Sequence, residues 1–485
     1  MNETAAHDRR WLILAVVGAA FFMTILDVAI VNVAIPSIER DLKISRQTVE
    51  WVVVAYAIAY GGFLLLGGRM ADLLGRRRIF VTGLIVFTLG SLACGLSHSA
   101  SSAALLIGAR AAQGLGAAIL APSALSIVTT TFTEGAERNK ALGIWGALGG
   151  SGAAAGVLFG GILVKYLGWE WIFYVNVPVG ILVLSLTRPI VPESRAALGH
   201  HRFDVTGAVT VTGGLTLLVY AISKAPDVGW GSARTILLLA ASVALLAAFL
   251  VTETRSKAPL MPFSIFRIRT VAAANVVGFL LGAAIFANFF VLTLYVQQVL
   301  GWSPLKTGIT FLATAGTTVV WAGLSQALVT KIGVRPVLSI GMAVMGLALL
   351  SYTRIPVGGH YWPDLLPGYL VFAFGMAFAF IPVSIAALAG VAPEQAGLAS
   401  GLINTVQQVG GAIGVALATT IFLQATTGKH PHSRAQALDF LTSGFQHAFW
   451  ALMAVALAGA AAALILLRGT RIQTSPDTGT AEVPV

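Results

Sequence analysis

The stretch GRMADLLGRRR, residues 68–78, joins two apolar runs and is dense in arginine. A second stretch, ALVTKIGVRPVL at residues 327–338, lies between two later apolar runs. Aligning Gly75 with Gly333 also aligns Arg77 with Arg335, although the second copy lacks the aspartate at position 72. The two stretches follow the second and the tenth of the fourteen apolar spans given below. If spans seven and eight are treated as an insertion, each stretch follows the second span of a six-span set. This repetition predicts two homologous helical halves, a plan typical of secondary transporters.

The composition around this repeat is that of a membrane protein. Of the 485 residues, 57% are hydrophobic and only 10% are charged, whereas soluble domains carry about 25% charged residues. Soluble classes are therefore excluded. The single cysteine, Cys94, excludes an intramolecular disulfide and a cysteine-based metal site. The net charge of +11 lies in short clusters between apolar runs, which indicates membrane topology rather than nucleic-acid binding.

Fourteen segments are long and apolar enough to span a bilayer, which takes about 20 residues. They are 11–36, 48–67, 79–97, 102–125, 140–164, 170–189, 205–222, 235–252, 271–295, 307–328, 336–353, 365–388, 398–424 and 445–467. We predict an all-α polytopic protein with six-helix bundles at 1–190 and 266–468, two additional transmembrane helices with linkers at 191–265, and a disordered tail at 469–485. Most lysines and arginines fall on one side, which predicts that both termini and the tail are cytoplasmic.

Asp27 is the only carboxylate deep inside a predicted span, and Arg110 is the only deep basic residue. A charge at that depth costs at least about 2.5–3.5 kcal/mol. At 1.5 Å per residue both lie roughly 12–14 Å below the outer surface, so they are able to pair. Gln113 lies three residues from Arg110, near the same helix face. Two readings are open: a carboxylate that exchanges a proton, or a permanent ion pair that holds helices together.

Five segments together resemble the major facilitator superfamily, and specifically its 14-span drug:proton antiporter family. They are residues 26–36 (LDVAIVNVAIP), the 68–77 loop, residues 110–116 (RAAQGLG), the glycine-rich run 149–161 and residues 168–180 (GWEWIFYVNVPVG). The resemblance covers almost the whole chain and implies the major facilitator fold. Val157 departs from the pattern, because the antiporter motif has proline at that position.

The resemblance also implies roles for the motif residues. It gives Asp27, Arg110 and Gln113 a part in proton coupling. It makes the loop with Gly68, Asp72, Gly75, Arg76 and Arg77 a cytoplasmic gate, where an ordinary basic loop is the alternative. The antiporter-motif helix is expected to pack closely through its small residues, Gly152, Gly156, Gly160 and Gly161.

Substrate contacts are hypotheses based on polar and aromatic residues in candidate central helices. They are Phe22, Asn32, Trp51, Tyr56, Asn288, Tyr295, Gln297, Asn404 and Gln408, with Asn275, Phe289 and Gln407 beside them. Aromatic rings and one carboxylate suit lipophilic cations through cation–π and charge contacts. The alternative is that these residues face lipid or pack the core.

We therefore expect a proton-coupled antiporter that exports drugs or other lipophilic or cationic small molecules across the bacterial inner membrane by alternating access. The alternative is a dedicated exporter of one endogenous metabolite, antibiotic, siderophore or lipid. No phosphate-binding G-x4-G-K-S/T loop and no H-E-x-x-H motif occurs in the sequence, so we expect neither an enzyme nor nucleotide binding. We expect a monomer that binds no metal or cofactor and draws its energy from the proton gradient.

Overall fold

The computed structural model describes residues 3–195, 204–256, 259–427 and 431–468, and the regular structure in these ranges is entirely helical. Fourteen long helices follow one another along this part of the chain. They are α1 (Glu3–Leu42), α2 (Arg46–Leu74), α3 (Arg76–Leu96), α4 (Ala103–Thr131), α5 (Ala136–Tyr166), α6 (Trp171–Ile190), α7 (Val205–Val228), α8 (Ala233–Arg255), α9 (Arg269–Gln298), α10 (Pro304–Ile332), α11 (Val334–Tyr352), α12 (Leu366–Leu388), α13 (Ala396–Thr426) and α14 (Arg434–Leu466).

Each predicted span coincides with one of these helices, so the predicted all-α fold is confirmed. Thirteen of the helices are long and apolar enough to cross a membrane. The remaining one, α5, has 31 residues, and Ala155–Tyr166 is an apolar stretch of it that the structure describes without a gap. Several helices exceed the predicted span; α1, for example, continues through Pro36 to Leu42. The predicted tail at 469–485 lies outside the described residues.

The helices pack as two bundles with the same internal arrangement. In the first bundle α3 packs on α4 and α1 on α5; in the second, α11 packs on α12 and α9 on α13, which are the equivalent helices of the repeat. Two helix pairs, α2–α13 and α5–α10, join the bundles, and the repeat exchanges one pair for the other. The inserted helices α7 and α8 pack together, and α7 covers the α2–α13 pair.

A glycine at the equivalent helix junction of each half explains why the two sequence stretches resemble each other. Gly75 is the single residue between α2 and α3, and Gly333 is the single residue between α10 and α11. Their φ angles are 109° and 86°, a region that glycine enters without the steric cost that a Cβ brings. Both junctions therefore reverse the chain within one residue. We call the side of the molecule that holds these two junctions the arginine-rich end.

The α5 glycines lie directly against α1. A Cβ on Gly156 would lie 2.6 Å from the Leu26 carbonyl oxygen, and one on Gly152 would lie 2.9 Å from Ile25 Cγ2. Gly160 meets Ile30 in the same way. Small residues at this spacing let two helix backbones approach closely. This contact fixes the part of α1 that carries Asp27.

Two residues of the same motif face the other bundle instead. Gly161 lies against Leu305, and Val157, which replaces the motif proline, lies against Gly308; both partners belong to α10. The motif therefore has two packing faces, one toward α1 and one toward the second bundle.

A Gly156→Leu substitution tests the packing of α5 on α1. We expect membrane insertion but a loss of about 1–3 kcal/mol or more of stability, because the added side chain meets backbone that cannot yield. The matched control is Gly108→Leu on α4, where no atom lies within 4 Å of an added Cβ. Thermal unfolding of both purified variants in detergent measures the difference; equal melting temperatures would contradict the close contact.

Candidate functional site

Asp27 lies in the middle of the first bundle with both carboxylate oxygens bonded. Arg110 Nη1 donates to Oδ2 at 2.6 Å. Gln113 Nε2 and Asn176 Nδ2 donate to Oδ1 at 2.7 and 2.9 Å. The Asp27 and Arg110 side chains are 0% and 1% exposed. The site therefore links α1 to α4 and α6 through an enclosed ion pair.

Arg110 has partners other than the carboxylate. Its Nε donates to the Val52 carbonyl oxygen on α2 at 3.0 Å, and Nη1 also donates to Gln113 Oε1 at 2.6 Å. The guanidinium carbon lies 4.3 Å from the centre of the Tyr56 ring, within the range of a cation–π contact. These contacts hold the guanidinium in place independently of Asp27.

Two members of the site were not predicted as site residues. Asn176, on α6, donates to Asp27, and Ser91, on α3, accepts from Gln113 Nε2 at 2.6 Å and from Asn176 Nδ2 at 3.3 Å. Both are polar residues inside apolar runs, and Asn176 lies in one of the segments that carry the family resemblance. That polarity is the signal from which they could have been found, but sequence alone does not show that α3 and α6 meet at Asp27.

The arrangement has a clear chemical consequence. An ionised carboxylate accepts from all three donors, whereas a protonated one has reduced acceptor capacity and carries a proton of its own. Protonation of Asp27 would therefore weaken the links from α1 to α4 and α6.

A second cluster joins the two bundles at the arginine-rich end. Asp72 Oδ1 accepts from the backbone nitrogen of Gly397 and Oδ2 from that of Leu398, both at 2.9 Å. These nitrogens belong to the first turn of α13, where the helix dipole favours an anion. Gly68 lies against the Gly397 backbone, where a Cβ would not fit. Asp72 therefore caps a helix of the opposite bundle.

Arg76 completes this contact between the bundles. Its Nη2 donates to Asp72 Oδ1 at 2.9 Å and also to the Pro393 carbonyl oxygen, just before α13. Its Nε donates to Ser126 Oγ on α4 at 2.7 Å. We call Gly68, Asp72, Arg76 and the backbone of residues 393–398 the Asp72 latch.

Gly75 and Arg77 belong to a different contact, inside the first bundle. Glu193, which follows α6, accepts from the backbone nitrogens of Arg77 and Arg78 at 3.1 and 3.2 Å. The Ser194 carbonyl oxygen accepts from the Arg76 nitrogen at 2.8 Å. The segment after α6 thus satisfies the free backbone donors at the start of α3. Sequence reasoning placed all five motif residues in one gate and did not single out Glu193.

The predicted substrate contacts do not form one cluster. Tyr56 belongs to the Asp27 site, Phe22 lines a cleft beside α1, and Trp51 stacks on Tyr220 of α7 at 5.9 Å. Asn32 and Asn404 donate to carbonyl oxygens of their own helices. Tyr295 is buried and donates to the Pro356 carbonyl oxygen at 2.6 Å. Asn288 is buried, whereas Gln297 and Gln408 are half-buried.

The structure has two bundles related by an internal repeat, a buried ion pair inside the first bundle and the Asp72 latch between the bundles. Together these features define a membrane transporter of the parallel-repeat class. The chain belongs to the Major Facilitator Superfamily, whose family model matches residues 17–415. The resemblance in the sequence is thereby confirmed. The protein is a multi-pass membrane transporter of this superfamily.

Similar proteins support this assignment. The chain is 39% identical to the puromycin resistance protein pur8 of Streptomyces alboniger, over 98% of this chain and 94% of that protein. It is 36% identical to the multidrug resistance protein Stp of Mycobacterium tuberculosis, over 89% of this chain and 79% of that protein. The human organic anion transporter MFSD10 shares the fold, with a TM-score of 0.67 at 16% identity, covering 94% of this chain and 99% of that one.

An Asp72→Asn substitution tests the latch. We expect the arginine-rich ends of the bundles to separate about tenfold more often, because hydrogen bonds to a charged group contribute about 1.5–3 kcal/mol each. Spin labels at Thr82→Cys on α3 and Ile340→Cys on α11 report the separation by double electron–electron resonance. The control is Asp439→Asn, an exposed aspartate on α14. An unchanged distance distribution in the Asp72 variant would show that the latch does not hold the bundles together.

Proposed function

We propose that the protein is a proton-coupled antiporter that exports lipophilic or cationic small molecules from the bacterial cytoplasm. The observation that carries this proposal is the enclosed Asp27 site, which lies near mid-length of the 40-residue helix α1. The resistance functions named for pur8 and Stp support export as the direction of transport. In this proposal the arginine-rich end faces the cytoplasm.

The Asp27 site supplies a means of coupling. In the ionised state, Asp27 holds α1 against α4 and α6 through its three donors. Protonation from the outer side releases these links and lets the helices move. Arg110 keeps Val52, Gln113 and Tyr56 as partners, so the loss of the carboxylate charge does not leave the guanidinium without contacts. The proton then leaves toward the cytoplasm when substrate binds.

The Asp72 latch controls the alternation between a state open to the cytoplasm and a state open to the outer side. Its bonds to the first turn of α13 hold the cytoplasmic ends of the bundles together, so this arrangement corresponds to a state closed to the cytoplasm. Opening toward the cytoplasm breaks the bonds from Gly397 and Leu398 to Asp72. Closure restores them, and the outer ends are then free to separate.

A dedicated exporter of one antibiotic is the second candidate. The observation that favours it is the similarity over 94% of the length of pur8, a protein named for resistance to puromycin alone. Multidrug export predicts that ethidium and puromycin are both transported. A dedicated exporter of puromycin predicts that only puromycin moves.

An Asp27→Asn substitution tests proton coupling. Export of ethidium and puromycin is measured in inside-out vesicles, with and without a proton uncoupler. We expect gradient-driven accumulation in the wild type, and in the Asn variant a fall to the level of the uncoupled wild type, because asparagine takes up no proton. The matched control is Asp41→Asn, an exposed aspartate on the same helix, which should transport normally.

Two results would contradict the proposal. Export by the wild type that is insensitive to the uncoupler would exclude the proton gradient as the energy source. Export by Asp27→Asn equal to that of the wild type would leave the Asp27–Arg110 pair as a purely structural link.

A further inference from the structure

Ser91, on α3, accepts hydrogen bonds from both amide groups that bind Asp27. Its Oγ lies 2.6 Å from Gln113 Nε2 and 3.3 Å from Asn176 Nδ2. The same two nitrogens donate to Asp27 Oδ1 at 2.7 and 2.9 Å. Ser91 and Asn176 are 0% and 1% exposed, so bulk water does not compete for these bonds. Each amide nitrogen therefore lies between two acceptors, a carboxylate on one side and a hydroxyl group on the other.

The two amide groups differ in how their orientation is fixed. An amide has a nitrogen that donates and an oxygen that accepts, and a half-turn of the group exchanges the two. Gln113 is held at both ends, because its Oε1 accepts from Arg110 Nη1 at 2.6 Å. Among the described residues, the side chain of Asn176 makes hydrogen bonds through Nδ2 only, to Asp27 and to Ser91. In this part of the structure, Ser91 is thus the one group besides Asp27 that fixes the orientation of Asn176.

The orientation of Asn176 affects the balance between the two protonation states of Asp27. An N–H group that donates to a carboxylate favours the ionised form, whereas an acceptor that faces the carboxyl group favours the protonated form. A half-turn of Asn176 would replace the N–H group by the amide oxygen, which accepts from a protonated carboxyl group. By accepting from Nδ2, Ser91 opposes this half-turn. Ser91 therefore acts on Asp27 through Asn176.

We propose that Ser91 is a positioning residue for the proton step. It keeps the amide nitrogen of Asn176 toward Asp27 and so lowers the pH at which the carboxylate takes up a proton. The proposal rests on the proposed function and adds the residue that tunes its proton site.

The ionisable groups around Asp27 do not depend on the Ser91 hydroxyl group. Among the described residues, three such groups act on the carboxylate: Arg110 on α4, Tyr56 on α2 and Cys94 on α3. The α5 helix meets this part of α1 through glycines, and α6 presents the uncharged Asn176. Cys94 bonds to Gln113, and Arg110 bonds to Asp27, Gln113 and Val52, so neither uses Ser91. A change in proton uptake after loss of the hydroxyl group therefore reports the amide.

A Ser91→Ala substitution tests the positioning role. The titration of Asp27 is followed by infrared difference spectroscopy of the full-length protein in nanodiscs, and the carboxyl band is assigned by its loss in Asp27→Asn. We expect the midpoint of the titration to rise by about one pH unit, because the Asn176 oxygen is then free to accept from the protonated carboxyl group. Ser91→Thr, which keeps a hydroxyl group, should restore the wild-type midpoint.

The matched control is Ser123→Ala on α4. It also removes a buried hydroxyl group, but one that donates to the Ile119 and Leu120 carbonyl oxygens of its own helix. Its midpoint should equal that of the wild type. Equal shifts in Ser91→Ala and Ser91→Thr would show that the hydroxyl group is not what matters, and would overturn the proposal.

A double-mutant cycle tests whether Ser91 acts through Asn176. Asn176→Ala removes a donor to the ionised carboxylate, so it should raise the midpoint as well. Because both residues act through one amide, Ser91→Ala should add no further shift in that background. Fully additive shifts would overturn the positioning role. Thermal unfolding verifies that each variant is folded; if Ser91→Ala is not, Ser91→Cys, with a weaker acceptor, should raise the midpoint by a smaller amount.

The titration needs no proton gradient, so its outcomes separate this proposal from the proposed function. An unchanged midpoint in folded Ser91→Ala, together with uncoupler-sensitive export by the wild type, would overturn the role of Ser91 alone. The expected shift in a protein whose export ignores the uncoupler would support the role of Ser91 in proton binding and overturn proton coupling. An Asp27 carboxyl group that does not titrate at any pH at which the protein is folded would overturn both.

Discussion

The ion pair between Asp27 and Arg110 is the interaction on which the first bundle depends. Two charges enclosed among apolar helices are stable only when each has a partner and further hydrogen bonds, and removing one partner of such a pair costs about 3–5 kcal/mol. Here the carboxylate has three donors, and the guanidinium also contacts a carbonyl oxygen and an aromatic face. The site is thus stable as built, and protonation of Asp27 would weaken its links to α4 and α6.

Close packing of α5 on α1 fixes the position of Asp27 in the first bundle. The α5 glycines bring α5 against α1 beside Asp27, while Val157 and Gly161 on the same helix touch α10 of the second bundle. A single helix therefore connects the buried carboxylate to the interface between bundles. At the arginine-rich end, Asp72 makes the second connection by capping α13. The first bundle thus meets the second both through α5 and through the Asp72 latch.

Residues of one sequence motif do not all take part in the same contact of the structure. The 68–77 motif reads as one unit, yet the structure divides it between the latch and an internal contact with Glu193. The glycine motif is likewise divided between two faces. Motif residues share a short segment of chain, but a helix turns its residues in different directions, so neighbours in a motif contact different partners. This division could not be predicted without knowing which helices lie on each side.

The sequence by itself determined the number of helices and the repeated halves, and it indicated that Asp27 and Arg110 are able to pair. These follow from hydrophobic length, from glycine at one-residue junctions and from the cost of charge in a membrane, all of which act locally along the chain. Only the tertiary structure decided that Asn176 and Ser91 join the site and that Tyr56 belongs to it, while the other candidate contacts lie elsewhere. Those facts depend on how helices rotate and pack against each other, and apolar residues that surround a helix on all sides leave that rotation unspecified.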